Sequence, residues 1–173
     1  RPAEGGLELQ EADTNNDGVL DTWITVDSKG VIQKREEDRS GNGVRDFAAF
    51  FENGKVARIE QRDPERDCVT LRQYVDSAGN VTREEKDTRG DCKVDTWNLF
   101  KGGRLTRQAL DTEGRGFANL LSHIDEAGRV QRQELASARG KPDKKIYLGA
   151  EGEVVRQCLD TTGNHRFDTQ HEV

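Results

Sequence analysis

Three groups of residues in this sequence have the types and spacing to do chemistry. The first is the stretch 13–21, DTNNDGVLD, where Asp13, Asn15 and Asp17 alternate, Gly18 follows and Asp21 stands ninth. Alternating oxygens closed by a glycine bend suit a hard cation, and calcium is the cofactor this loop admits. Ile24 occupies the twelfth position, where a bidentate Glu would complete such a loop. The same residues also make an Asx-rich turn, in which side-chain oxygens bond the local backbone. The second group is Cys68 and Cys92, each the sixth residue counting the Asp that precedes it, Asp63 or Asp87. That shared phase predicts a Cys68–Cys92 disulfide and leaves Cys158 a free thiol. Ladder geometry opposes it, since residues two strands apart lie near 10 Å while a disulfide needs Cα atoms within about 7 Å. The objection weakens in the outer turns, which are several residues long and can lean together.

The third group is periodic. Lys34, Arg58, Arg83, Arg107, Arg132 and Arg156 recur at a near-constant interval, and so do the aromatic residues Trp23, Phe50, Tyr74, Trp97 and Tyr147. A basic ladder of this kind grips a polyanion such as an acidic polysaccharide. With Glu36, Glu60, Glu85 and Glu134 two residues on, it equally forms structural ion pairs whose stems cover apolar neighbours. The aromatic column either stacks on a ligand or buries against cross-strand neighbours. For catalysis there is little material. His123 lies two units away from His165 and His171, and neither a nucleophile motif nor a phosphate loop is present.

The elements that position these residues follow from the interval itself. Opening residues fall at Asp13, Asp38, Asp63, Asp87, Asp111, Ala136 and Asp160, in steps of 25, 25, 24, 24, 25 and 24 residues. A period that regular marks a repeat array. Each unit holds an inner turn ending in Gly: Asp27–Gly30, Asp76–Gly79 and Asp125–Gly128 read as three-residue hairpin loops, Asn53-Gly54 and Gly102-Gly103 as two-residue loops. The outer turns are Asp-rich, and those beginning at Asp63 and Ala136 are shortened. Six β-hairpins and a final part-strand result, covering residues 13–173 as one repeat domain, with residues 1–12 a linker or leading strand. The expected fold is all-β: an elongated single-layer antiparallel meander.

Counting from each turn glycine, the second residue is apolar, the fourth basic and the sixth mostly Glu. With a side-chain period of two, these three columns share one face, opposite Ile24, Val26 and their equivalents. The column of Thr25, Phe50, Tyr74, Leu99, His123 and Tyr147, with Trp23 and Trp97 two residues before it, is then assigned to the other face.

Hairpins of two dozen residues, with a Gly-closed inner turn preceded by an aromatic strand, resemble MORN-type repeats. They are most similar to the bacterial variant of YwqK-type antitoxin components. The likeness spans Asp13 to about Asp168 and lies in period and turn logic. Asp-rich outer turns stand where the family uses Asn/Lys-Gly followed by Gly-x-Trp or Gly-x-Tyr. It implies a hairpin scaffold with binding or assembly roles and no catalytic residue to carry over.

Composition bounds the function. Of 173 residues, 32% are apolar and 35% charged, with mean hydropathy −0.93, so order must come from stacking repeats instead of one large core. A net charge of −6 argues against nucleic acid or an anionic membrane as partner. No apolar run approaches a membrane span. The chain opens on Arg1, from which an upstream signal peptide or lipid-anchored Cys is expected to have been removed. Together these features predict a non-enzymatic, extracytoplasmic bacterial scaffold in the periplasm, on the outer membrane or at the cell surface. Its partner is expected to be a protein or polysaccharide. Two alternatives are a YwqK-like immunity or antitoxin component and a calcium-dependent surface protein.

Overall fold

The computed structural model describes residues 6–173. Among them there is no helix; fourteen strands form a single-layer antiparallel meander whose order follows the sequence without a crossover. The chain divides into two compact units, one comprising Arg1–Val81 with Gly90–Cys92, the other Thr82–Arg89 with Lys93–Val173. The first holds β1 (Glu8–Ala12), β2 (Thr22–Val26), β3 (Ile32–Glu37), β4 (Phe47–Glu52), β5 (Lys55–Asp63) and β6 (Cys68–Val75). The second holds nearly all of β7 (Val81–Lys86), then β8 (Thr96–Lys101), β9 (Arg104–Leu110), β10 (Leu120–Ile124), β11 (Val130–Ala138), β12 (Lys141–Leu148), β13 (Val154–Leu159) and β14 (Thr169–Glu172). Glu8–Ala12 is thus a leading strand paired with β2. The linker features Pro2 and Gly5 lie outside the described residues.

Inner turns form as their residues demand. Asp27, Asp76 and Asp125 each accept two backbone N–H bonds at 2.9 Å on one carboxylate oxygen, closing the loop back onto the strand. Asn53 and Gly54 both have positive φ, 51° and 75°, as a two-residue primed turn requires. Outer turns use two side-chain locks. The opening Asp accepts N–H bonds from inside the loop, for example Asp38 from Gly41 and Gly43 at 2.7 Å each. The closing Asp or Asn accepts from the second residue, as Asp46 does from Arg39 and Asn119 from Thr112. Buried carboxylates therefore replace an apolar core here. Asp38, Asp46, Asp95 and Asp111 are all buried, whereas among the described residues the buried apolar ones are only Trp23, Val26, Ala48 and Ala49.

One feature of register corrects the face assignment. After five of the inner turns the returning strand carries a one-residue bulge, at Gln33, Ala57, Thr106, Gln131 and Val155, so that Ile32 pairs with Val26 but Lys34 pairs with Thr25. An inserted residue inverts the alternation. The apolar column consequently goes to one face, and the basic ladder goes to the face of the aromatic column. Lys34 is directly opposite Phe50, and Arg58 is opposite Phe50 and Tyr74.

A candidate binding face

In the first unit the inner row of this face reads Thr25, Lys34, Phe50, Arg58, Tyr74 across the strands, and the outer row reads Trp23, Glu36, Ala48, Glu60, Arg72. Cations and rings therefore alternate. Lys34 and Arg58 lie over Phe50 at 5.3 and 4.0 Å from its centroid, and Arg45 reaches from an outer turn to cover Trp23 at 4.4 Å. In the second unit the inner row is Arg83, Leu99, Arg107, His123, Arg132, Tyr147, Arg156, with Trp97, Ala109, Leu121, Glu134 and Lys145 beside it. Arg156 covers Tyr147 at 4.0 Å. All five aromatic candidates and all six ladder cations thus belong to one kind of face.

The ladder's acids are mostly present. Lys34 pairs with Glu36 at 2.7 Å, Arg58 with Glu60 at 3.5 Å, Arg132 with Glu134 at 3.1 Å, and Arg83 with Glu85. Arg107 and Arg156 have Ala109 and Cys158 at the matching position, and neither makes an ion pair among the described residues. Burial lowers the pKa of His123, helped by the neighbouring charges of Arg132 and Arg107, so it stays neutral near pH 7. Its ring nitrogen accepts from Arg132 at 2.8 Å.

The opposite face in the second unit carries a ladder of amides and hydroxyls. Asn98 donates to Glu84 at 3.0 Å, Gln108 to Asn98 at 3.1 Å and Gln133 to Ser122 at 3.2 Å. Glu84, Asn98 and Ser122 are buried and so consume their own hydrogen-bonding capacity.

The candidate calcium loop is filled by its own backbone. Asp13 accepts from Gly18 at 2.8 Å, Asn15 from Asp17 at 3.0 Å, Asp17 from Val19 at 2.8 Å, and Asp21 from the Thr14 hydroxyl at 2.8 Å. The hydroxyl bond from Thr14 is the largest influence on Asp21 and holds its pKa below the usual carboxylate value. This is Asx-turn bonding. Among the described residues no group of three or more His, Cys, Asp or Glu is placed to hold a metal ion.

Cys68 and Cys92 form a disulfide with Cα atoms 5.7 Å apart, and Cys158 is free. The two cysteines are not equivalent in conformation, contrary to the shared phase. Cys92 sits at the left-handed position that Gly18 occupies in another turn, with φ 65°, whereas in the shortened turn Asp67 takes that position at φ 50° and Cys68 already opens β6. The shortened turn draws the strand start toward its neighbour's turn, so the 10 Å ladder spacing does not apply.

Two clefts on this face escaped the sequence reading. In the first unit a cleft of about 570 Å³ is lined by Lys34, Glu36, Arg45, Ala48, Phe50, Glu60 and Arg62, among others. In the second unit a cleft of about 320 Å³ is lined by Arg107, Ala109, Ala118, Leu121, Glu134, Ala136, Lys141 and Pro142, among others. The two correspond position by position. Lys34, Glu36, Arg45 and Ala48 stand 73 residues before Arg107, Ala109, Ala118 and Leu121, and Glu60 and Arg62 stand 74 before Glu134 and Ala136. Each lies between a nine-residue outer turn and a shortened one. The spacing of those shortened turns, three repeats apart, was the available signal.

No family model matches the chain, and no curated protein matches it. Three solved structures are similar to part of the chain. A point mutant of S. aureus TarM in complex with Fondaparinux, alpha-GlcNAc-glycerol and UDP is 12% identical, with TM-score 0.48 over 67% of this chain and 21% of that one. A second TarM structure is 12% identical with TM-score 0.45, covering 60% of this chain and 19% of the other. Accessory secretory protein 1,2 and 3 of Streptococcus pneumoniae is 20% identical with TM-score 0.39, covering 52% and 17%. This chain spans about a fifth of the length of those it resembles, and at these scores the likeness carries no statement about function.

Proposed function

We propose that this chain is a non-enzymatic, extracytoplasmic interaction scaffold whose ladder-bearing face docks an anionic macromolecular partner, protein or acidic polysaccharide. The observation that carries the reading is the recurrent bulge, which brings the basic and aromatic columns onto one face five times over. Cations cover the rings of Phe50, Trp23 and Tyr147, so the face offers guanidinium edges more than bare rings for stacking. Arg107, flanked across the strands by Leu99 and His123, carries unneutralised charge, whereas Arg156 has Glu172 directly opposite. The opposite face spends its polar groups on itself. A disulfide fits an oxidising compartment, and no described helix is long and apolar enough to cross a membrane. This mode of action, a hairpin surface with no catalytic group, is also what MORN-like and YwqK-like arrays imply.

The test compares the two faces. A partner cross-linked to the chain in extracts of the native host is expected to be lost with Arg132→Glu plus Arg156→Glu. It is expected to be retained with Gln133→Glu plus Gln157→Glu, which alter the other face by the same number of acids. Capture that survives the first pair, or is lost only with the second, overturns the assignment.

A further inference from the structure

In the second unit, the cleft on the ladder face has lost the charges that fill its counterpart. Glu36, Arg45 and Arg62 of the first cleft become Ala109, Ala118 and Ala136, and Ala48 becomes Leu121. Each replacement removes an ion-pairing group or adds a hydrocarbon wall, and Pro142 adds another. The backbone does not close over the space. Ala109 pairs with Leu121 and Leu121 with Glu134 in regular register, and the break between Leu135 and Ala136 turns the strand end away.

Two cations remain at this apolar cleft, Arg107 and Lys141, and among the described residues neither makes an ion pair. The one acid lining it, Glu134, is engaged by Arg132 at 3.1 Å and lies 3.4 Å from His123. Arg107 is left without an acid by the same substitution that opened the space, because its expected partner is the residue replaced by Ala109. An apolar cleft bearing unneutralised cations complements a ligand that is apolar with one negative charge.

We propose that this cleft binds a small carboxylate carrying an apolar chain, with the carboxylate on Arg107 and the chain over Ala109, Leu121, Ala136 and Pro142. The site lies on the proposed docking face but stands without that reading, since its occupation needs no macromolecular partner.

Calorimetric titration of the full chain with octanoate, below its micellar range, tests the assignment. Acetate supplies the charge without the chain, and octan-1-ol the chain without the charge. One saturable octanoate site is expected, with amide NMR shifts at 107–109, 121 and 134–141 and much weaker binding of both controls. Ala109→Glu restores the acid found at this position in four other repeats, pairing Arg107 and filling the space. Loss of one charge-assisted contact is worth about tenfold in affinity or more, and that loss is expected for Ala109→Glu and for Arg107→Gln. Both positions are surface-accessible strand sites, and unchanged circular dichroism and melting establish that the variants fold. Absence of a saturable octanoate site overturns the proposal. So does octan-1-ol binding as tightly as octanoate, or octanoate binding that is indifferent to Ala109→Glu.

Discussion

The two clefts occupy the same place in the repeat and are built in opposite ways. In the first unit the cleft is a lattice of charge. Glu60 is buried and gathers Arg72 at 2.8 Å, Arg58 at 3.5 Å and Arg62 at 4.0 Å, while Glu36 holds Lys34 and Arg45 at 2.7 and 3.1 Å. In the second unit Glu134 keeps one arginine, Arg132, beside a neutral His123, and alanines replace the rest. Backbone register is conserved between the two while side-chain chemistry is exchanged. In a single-layer sheet each repeat needs its neighbours' backbones but not a common core, so one position can be structural in one unit and open in the other.

The turns beside the clefts differ too, and the largest expected effect lies there. In the first unit the shortened turn is fastened by Cys68–Cys92; the residues 73 positions on, Lys141 and His165, cannot cross-link. Closing a loop with a separation of 24 residues stabilises by about 3 kcal/mol in the chain-entropy model. Reduction, or Cys68→Ser with Cys92→Ser, is expected to speed amide exchange strongly across β5 and β6 and to leave β11 and β12 near their original protection. Equal loosening of both pairs of strands would break the comparison, because the bridge would then support the whole array.

Next in size is the charge lattice. Glu60→Ala removes a buried carboxylate shared by three arginines, of which Arg62 keeps Asp67 at 3.2 Å. Breaking a buried ion pair costs several kcal/mol, but these arginines are about a third exposed, which brings the expected loss to about 2 kcal/mol. Glu134→Ala removes a partner from one arginine only and is expected to cost clearly less. Chemical denaturation of the two variants side by side checks this. A loss for Glu134→Ala matching that of Glu60→Ala would mean the second cleft is also held by charge.

The hairpins were legible because the turn residues declare themselves. Asn53-Gly54 admits little but a primed turn, and Asp27 with Gly30 closes a loop by bonds that Asp side chains form locally. The Cys68–Cys92 bridge was legible from phase, though the reason it closes was not, since the shortened turn moved Cys68 out of the glycine-equivalent position. What misled the reading was the bulge. Ile32 and Lys34 are two apart, and alternation assigns them one face; only the inserted Gln33 separates them. A bulge is set by how the turn hands its strand back to the sheet, and the side chain at the inserted position (Gln, Ala, Thr, Gln and Val in turn) carries no common signal. The clefts were hidden for a related reason. They depend on whether a missing charge falls beside the basic ladder on the same face, and that needed the corrected face.

The smallest effect concerns how outer turns are locked in acid. Within the second unit, the turn 111–119 closes on Asn119, whose amide oxygen accepts from Thr112 N–H at 2.7 Å and does not titrate. The turn 160–168 closes on Asp168, whose pKa is lowered to about 2, first by the Thr161 hydroxyl bond at 2.8 Å and then by the Thr161 backbone N–H at 3.1 Å. A carboxyl whose pKa is lower folded than unfolded contributes stability that is fully present above its ordinary value of 3.8. That contribution is lost as pH falls from there through about 2. Acid is therefore expected to loosen the Asp168 closure while the Asn119 closure persists, read from the Thr161 and Thr112 amide resonances. Thr161→Val removes the larger of the two bonds and keeps the backbone donor, so the Asp168 carboxyl resonance is expected to titrate between about 2 and 3.8. Asp168→Asn converts the second lock into the first, and its Thr161 amide is expected to become as insensitive to acid as that of Thr112. If the Thr161 amide of Asp168→Asn still shifts through the same range, the opening residue Asp160, which accepts from Gly163 and His165, controls the turn and the closing residue does not.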